Sequence, residues 1–223
     1  MSINFKKFSG TGMTSDSSRF KLIENLKKNG ITDIRVLSAM KQVPRHIFVD
    51  EAISSKAYDD VALPIGKAQT ISHPLIVAKM TEIILRNNPK RILEIGTGSG
   101  YQAVVLSLLV DKVYTIERIE LLYTKSKEIF RKIDINNIYT KFSDGNNGWK
   151  QKAPFDSIIV TASAKSMPFN LIDQLSDNNG VLLSPVEEKG KQYLKSVTKI
   201  NNTLAEEIHG IVKFVPLLDG TTS

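Results

Sequence analysis

No cysteine occurs anywhere in the chain, which removes disulfides, a thiolate nucleophile and every thiolate metal site. Histidine is nearly as scarce: His46, His73 and His209 stand far apart in the sequence, without the spacing of a ligand set, so a metal enzyme is not expected. No apolar run approaches the length needed to span a bilayer. The N-terminus carries Lys6 and Lys7 with no apolar stretch behind them, which does not read as a secretory signal. These absences make a cytoplasmic protein with no membrane partner the expectation. Basic residues outnumber acidic ones, 30 to 23, for a net charge of +7. Yet pairs such as Lys6-Lys7, Lys27-Lys28 and Lys90-Arg91 never lengthen into a tract, and no aromatic residues interleave them. Solvated helix faces account for them, and nucleic acid is not an expected partner.

What is present is organised around Arg91-Ile-Leu-Glu-Ile-Gly-Thr-Gly-Ser-Gly-Tyr-Gln102. A short apolar run, Ile92 to Ile95, ends in glycines at alternate positions, after which Tyr101 to Val110 reads as a buried helix. A strand, a tight loop and a helix follow from that pattern. Gly96, Gly98 and Gly100 allow positive φ and close approach of a ligand, with amides at the helix start expected to point outward. The loop lacks the Gly-Lys-Ser/Thr of a triphosphate site, which excludes a P-loop and leaves NAD or S-adenosylmethionine. The NAD fingerprint places its third glycine three positions after the second; here Gly100 comes two after Gly98, and position 101 is a tyrosine that would crowd a pyrophosphate. A second strand, Lys112 to Ile116, ends in Glu117, about 20 residues past the loop, where a carboxylate can accept from ribose hydroxyls in either ligand class. The Glu-x-Gly-x-Gly-x-Gly form, with Glu94 at its head, resembles the first motif of the class I S-adenosylmethionine-dependent methyltransferases.

A chain of 223 residues accommodates one large α/β domain with a core and is short for two. The first dozen residues look mobile. A helix starts after Ser15-Asp16, with Phe20, Ile23 and Leu26 on one face, and stops at Asn29-Gly30. Thr32 or Asp33 caps a second, striped by Val36, Leu37 and Met40 and ended by Pro44. Residues 43–74 mix Pro, Gly, hydroxyls and acids outside any periodic pattern and read as ordered loop, the kind of segment that carries function. Ser72 is placed to cap the next helix, which has Pro74 in its first turn and Ile76, Val77, Met80, Ile83 and Ile84 as its apolar face. Beyond Glu117 the pattern gives a helix from Ile119 to Ile133, a strand from Ile138 to Phe142 and an unbroken apolar strand from Phe155 to Thr161 that suits the centre of a sheet. A short helix follows at Pro168 to Leu175, then a strand at Gly180 to Pro185. Tyr193 to Ile200 and Glu207 to Val215 close the chain as an antiparallel pair. The expected fold is α/β: a doubly wound, mostly parallel sheet with N-terminal helices and a C-terminal antiparallel strand pair. Residues 1–75, helices and substrate-side loops, are expected to pack on a cofactor-binding α/β core of residues 76–223 within a single domain.

Several segments together match one family. They are Val43-Pro-Arg45, Phe48-Val-Asp50, Tyr58-x-Asp60 with Leu63-Pro-Ile-Gly66, Gln69-Thr-Ile-Ser72, Leu93 to Gln102, Tyr114-Thr-Ile-Glu-Arg118, Asp144-Gly145 with Gly148-Trp149, Pro154 to Ala162, and Phe214-Val-Pro-Leu217. In these the chain resembles the protein-L-isoaspartate O-methyltransferases. The resemblance implies transfer of a methyl group from S-adenosyl-L-methionine, leaving S-adenosyl-L-homocysteine, to the free carboxylate of L-isoaspartyl residues in damaged proteins and peptides. The ester then closes to a succinimide whose hydrolysis restores some normal aspartate. A monomer that needs no metal is expected. Carried over residue by residue, Ser72 is the active-site serine. Glu94, Gly96, Thr97, Gly98, Ser99 and Gly100 line the cofactor's methionine and ribose, Glu117 takes the ribose hydroxyls, and Asp144 and Gly145 meet the adenine. Asp59, Pro64, Ile65 and Gly66, with Val160, Thr161 and Ala162, border the peptide substrate.

The chain departs from the family's common pattern at Ser143, where Gly is usual, and at Glu187, where the loss of a glycine is expected to alter a turn. Two other functions compete: a class I methyltransferase for another acceptor such as RNA, and a noncatalytic cofactor-binding module. The Asn/Asp-Pro-Pro-Tyr/Phe motif used on base nitrogens is missing, which counts against the first. Retention of Ser72 and Glu117 counts against the second.

Overall fold

A computed structural model describes residues 5–8, 10–200 and 203–223 of the chain. Of the opening stretch, Phe5–Phe8 and Gly12–Thr14 form single 3-10 turns, while residues 1–4 and 9 of the expected mobile segment lie outside the described residues. Helix α1 (Asp16–Lys28) buries Leu22, Ile23 and Leu26. Phe20, expected on that face, is 52% exposed, and Arg19 is buried instead. Its guanidinium donates to the carbonyls of Lys41 and Gln42 at the end of α2 (Ile34–Gln42), where a cation also suits the negative end of a helix dipole. Asp33 caps α2 by accepting from the Arg35 amide.

The segment expected as loop contains an antiparallel ribbon, β1 (Leu63–Gly66) and β2 (Gln69–Ile71). Its turn residues Lys67 and Ala68 both have positive φ, 51° and 55°, the backbone handedness that suits a tight hairpin. In α3 (Pro74–Ile84), Val77, Met80, Ile83 and Ile84 are buried. The cap of this helix is His73, whose Nδ1 accepts from the Leu75 amide at 3.3 Å, and not Ser72. Pro74 sets the frame. A proline suits the first helical position, where no donor is needed, and holds its predecessor in the extended conformation of a cap.

The sheet strands alternate with two further helices: β3 (Arg91–Ile95), α4 (Tyr101–Ser107), β4 (Lys112–Glu117), α5 (Glu120–Lys132), β5 (Ile138–Phe142), β6 (Ser157–Val160), β7 (Asn178–Glu188), β8 (Lys191–Ile200) and β9 (Thr203–Val212). They form a seven-stranded sheet in the order β5-β4-β3-β6-β7-β8-β9. The strands from β5 to β7 are parallel, and β8 and β9 add antiparallel to β7. The doubly wound α/β architecture with its terminal antiparallel pair is as the sequence predicts. β6, buried at every position, holds the central place its apolar run implies. The segment from Phe169 to Gln174 is 3-10 rather than α-helical. Glu187 lies in no turn: it pairs with Gln192 inside the β7-β8 ladder, and the chain reverses at Lys189-Gly190, with φ of 51° and 75°.

Leu26, Met40 and Ile71 share one core with Ile92, Val104 and Leu183, so the N-terminal helices and the sheet bury a common apolar interior. The short helix α4 is buried at every position; packing, not intrinsic propensity, holds it. Among the described residues no helix is long and apolar enough to cross a membrane. β3 has β4 on one side and β6 on the other, so the strand order reverses at its carboxyl end. That crevice is where open α/β sheets bind ligands.

Candidate active site

The loop leaving β3 turns on Gly96, Gly98 and Gly100, with φ of 98°, 54° and 87°. A Cβ at Gly96 would collide with the Thr161 hydroxyl, and one at Gly100 would meet the Phe130 ring at 2.6 Å. Gly98 is different. Its nearest neighbour would be Ile65 Cδ1 at 3.5 Å, so it leaves an open wall beneath the β1-β2 ribbon.

Four amides of the loop are engaged before the helix begins. Those of Gly96 and Thr97 donate to the Ile116 carbonyl at 2.9 and 3.1 Å, that of Gly98 to Glu117 Oε2 at 2.8 Å, and that of Gly100 to the Thr97 carbonyl at 2.8 Å. Three of the four go to the parallel neighbour β4, which presents the Ile116 carbonyl and the Glu117 carboxylate as acceptors beside the loop.

Two carboxylates flank the loop. Glu117 is nearly buried; its Oε1 accepts from the amides of Arg118 and Ile119, both at 2.9 Å, and its Oε2 from Gly98. Burial raises its pKa, and these amides pull it back. Each carboxylate oxygen accepts about two hydrogen bonds, so Oε2 keeps a place for a hydroxyl donor. Glu94 has no exposed surface, and burial pushes its pKa up to about 8, opposed by a hydrogen bond from Thr115. Its Oε1 has no partner among the described residues.

Ser72, Glu94, Gly96, Thr97, Gly98, Ser99, Glu117, Gly145, Thr161 and Ala162 line a single cleft of about 90 Å³, open at its mouth to solvent. Ser72 forms no side-chain hydrogen bond among the described residues and helps form the wall. Thr161 donates to the carbonyls of Ile95 and Gly96 and fixes the loop from the β6 side. Gly145 sits against Ile95, with no room for a side chain.

The other expected residues stand outside this lining. Gly100 is buried at the start of α4, and Val160 is wholly buried in β6, where it supports the cleft from behind. Ile65 covers Gly98, while Asp59, Pro64 and Gly66 are exposed along the approach to β1 and within it. Asp144 accepts from the amides of Asn146 and Gly220, each at 2.8 Å. Ser143 donates its amide to the Glu117 carbonyl, a contact any residue can make.

Sequence reasoning missed the C-terminal strap. Val215 to Leu218 line the cleft, and the chain then crosses its edge: Arg118 donates to the carbonyls of Gly220 and Asp219, and Thr222 pairs with the backbone of Arg118 and Glu120. No periodicity announces such a segment.

The sequence pattern of the family described as Protein-L-isoaspartate(D-aspartate) O-methyltransferase matches residues 17–222. The chain belongs to this family. A protein-L-isoaspartate O-methyltransferase of Marinobacter nauticus is 47% identical over 213 residues, covering 95% of this chain and 96% of the relative. One of Hahella chejuensis is 49% identical over 209 residues, 93% and 99% of the two chains. A solved protein-L-isoaspartate O-methyltransferase superposes with a TM-score of 0.81 at 27% identity, over 89% of this chain and 65% of that one. A Plasmodium falciparum protein described with the same activity, solved with S-adenosyl-L-homocysteine, gives 0.78 at 29% identity, over 89% and 97%.

Proposed function

We propose that the chain transfers the methyl group of S-adenosyl-L-methionine to the free α-carboxylate of L-isoaspartyl residues in proteins and peptides, the first step of their repair. The observation that carries this reading is the convergence of Ser72, Glu94, the glycine loop and Glu117 on one cleft, in a chain of this family. The crystallised Plasmodium falciparum relative with S-adenosyl-L-homocysteine supports the choice of cofactor.

When bound, S-adenosyl-L-methionine supplies an electrophilic methyl carbon on a sulfonium, which the substrate carboxylate captures as the carbon–sulfur bond breaks. The chain's own part is positional. A carboxyl with a pKa of about 4 is ionised at neutral pH, so no general base is required. Holding nucleophile and electrophile in line can contribute about 7–11 kcal/mol. Glu117 accepts from the ribose, with Gly98 leaving room for the nucleoside. The bare Oε1 of Glu94 suits the ammonium of the methionine end. Asp144 and Gly145 stand at the adenine edge. Ser72 donates its hydroxyl to the reacting carboxylate. Asp59, Pro64, Ile65 and Gly66, opposite Thr161 and Ala162, border the peptide, with Val160 behind them, and Ile65 over Gly98 shields the reacting centre from water.

Incubation with S-adenosyl-L-methionine and an isoaspartyl peptide tests the reading. The peptide should gain one methyl group as a base-labile ester. Methylation of RNA with none of the peptide, or cofactor binding without turnover, would overturn it.

A further inference from the structure

In the parallel register of β3 and β4, Glu94 pairs with Thr115, so their side chains leave the sheet on the same face. Both are completely buried. The Thr115 hydroxyl donates to Glu94 Oε2 at 2.5 Å and lies 2.6 Å from the hydroxyl of Thr97 in the glycine loop. Thr97 is itself 5% exposed. Three side chains from two strands and a loop thus form a relay in the cleft wall, and it ends in one unpartnered atom, Glu94 Oε1.

The proton inventory of this relay allows two arrangements. Each threonine hydroxyl has one proton to give. With Glu94 ionised, Thr97 donates to Thr115 and Thr115 to Oε2, leaving Oε1 bare and charged in a dry site, which is costly. With Glu94 protonated, that cost disappears. A ligand bearing an ammonium removes it in a different way, by placing N–H donors against Oε1. Other charges do not substitute for it. Glu117, from the end of β4, has the same sign and disfavours ionisation; Arg118 is turned to the C-terminal strap; and β6 presents Ile159 opposite Glu94.

We propose that Thr115, backed by Thr97, is a positioning residue for cofactor capture: it holds Glu94 with Oε1 free for the ligand's ammonium, which takes the place of a carboxyl proton that leaves to solvent. The exchange balances as carboxylic acid plus ammonium giving an ion pair plus one released proton. The raised pKa of Glu94 agrees, since it keeps the acid form populated at neutral pH. This inference rests on the assignment of S-adenosyl-L-methionine to the cleft.

Calorimetry with S-adenosyl-L-homocysteine, in buffers of different ionisation enthalpy, counts the protons exchanged. The wild-type chain should release about one proton per ligand at neutral pH, and release should give way to net uptake at about pH 9.5, where Glu94 is already ionised and the ligand's amino group must gain a proton to bind as an ammonium. 5′-Methylthioadenosine, which lacks the amino-acid end, should bind with no release. Thr115→Val should fold and weaken S-adenosyl-L-homocysteine by about tenfold to a hundredfold, and Thr115→Ser should restore both affinity and proton count. If Thr115→Val does not fold, Thr97→Val tests the same relay, with a smaller loss of affinity expected. Glu94→Gln should release no proton. Failure of the wild-type chain to bind S-adenosyl-L-homocysteine would overturn the cofactor assignment itself. Binding without proton release, or with an affinity indifferent to the threonine substitutions, would overturn this inference and leave that assignment standing.

Discussion

Glu117 Oε2 accepts a hydrogen bond from the amide of Gly98 at 2.8 Å, so the proposed ribose acceptor also fixes the loop on which the nucleoside would lie. Glu117→Ala therefore removes an acceptor for ligand and loop together. S-Adenosyl-L-methionine affinity should fall by about 1.5–3 kcal/mol, the range for a charge-assisted hydrogen bond, and the melting temperature should fall with it. Unchanged affinity by calorimetry in a folded variant would remove Glu117 from the ribose site.

Ser72 is freed from one of its two readings by the position of His73, which caps α3 in its place. Ser72→Ala should then change stability by no more than about 0.5 kcal/mol, as for a side chain outside the core. Its kcat should drop by about one to three orders of magnitude, with no new ionisation in the pH profile, because the serine positions a carboxylate and does not deprotonate it. Ser72→Asp should fold and lose activity through like-charge repulsion. A fully active Ser72→Asp enzyme would falsify the catalytic assignment.

Glu94 makes the empty enzyme's stability depend on pH. Its pKa is about 8 in the fold against 4.5 as the ordinary value, so between those values the folded state holds a proton that the unfolded state has released. Stability contributed by this group is fully present below the lower value and is lost as pH rises through the upper one. Urea unfolding at a series of pH values should show the decline, and Glu94→Gln should flatten it. Identical slopes in the two proteins would mean that Glu94 is not buried as the neutral acid.

The strap should govern cofactor release. Gly220 has φ of 70° and donates its amide to Asp144; proline can supply neither that angle nor a donor. Gly220→Pro should speed dissociation of S-adenosyl-L-homocysteine by about tenfold, the loss of one hydrogen bond to a charged acceptor, with little change in melting temperature. An unaltered rate in stopped-flow displacement would show the strap to be passive.

The glycine loop, Glu117 and the central β6 were legible because each leaves a local mark: glycines at alternate positions, an acid after a strand, an unbroken apolar run. The β1-β2 ribbon left none, since Lys67 and Ala68 adopt positive φ without the Asn or Gly that usually announces such a turn. Phe20 outranks Arg19 on any hydrophobic scale, yet Arg19 is buried because the carbonyls at the end of α2 need donors. The inward-facing loop amides, the Thr97-Thr115-Glu94 relay and the strap depend on partners distant in sequence. Only the assembled sheet brings them together.

The most direct test of the account is the initial rate of methylation of two synthetic peptides that differ only at one residue, L-isoaspartyl in one and L-aspartyl in the other. In the isoaspartyl residue the free carboxylate is attached directly to Cα, whereas in its twin it lies one methylene further out, and a displacement of that size costs alignment. The isoaspartyl peptide should be methylated and the aspartyl peptide should show no rate above background. Equal rates on the two peptides would contradict the account.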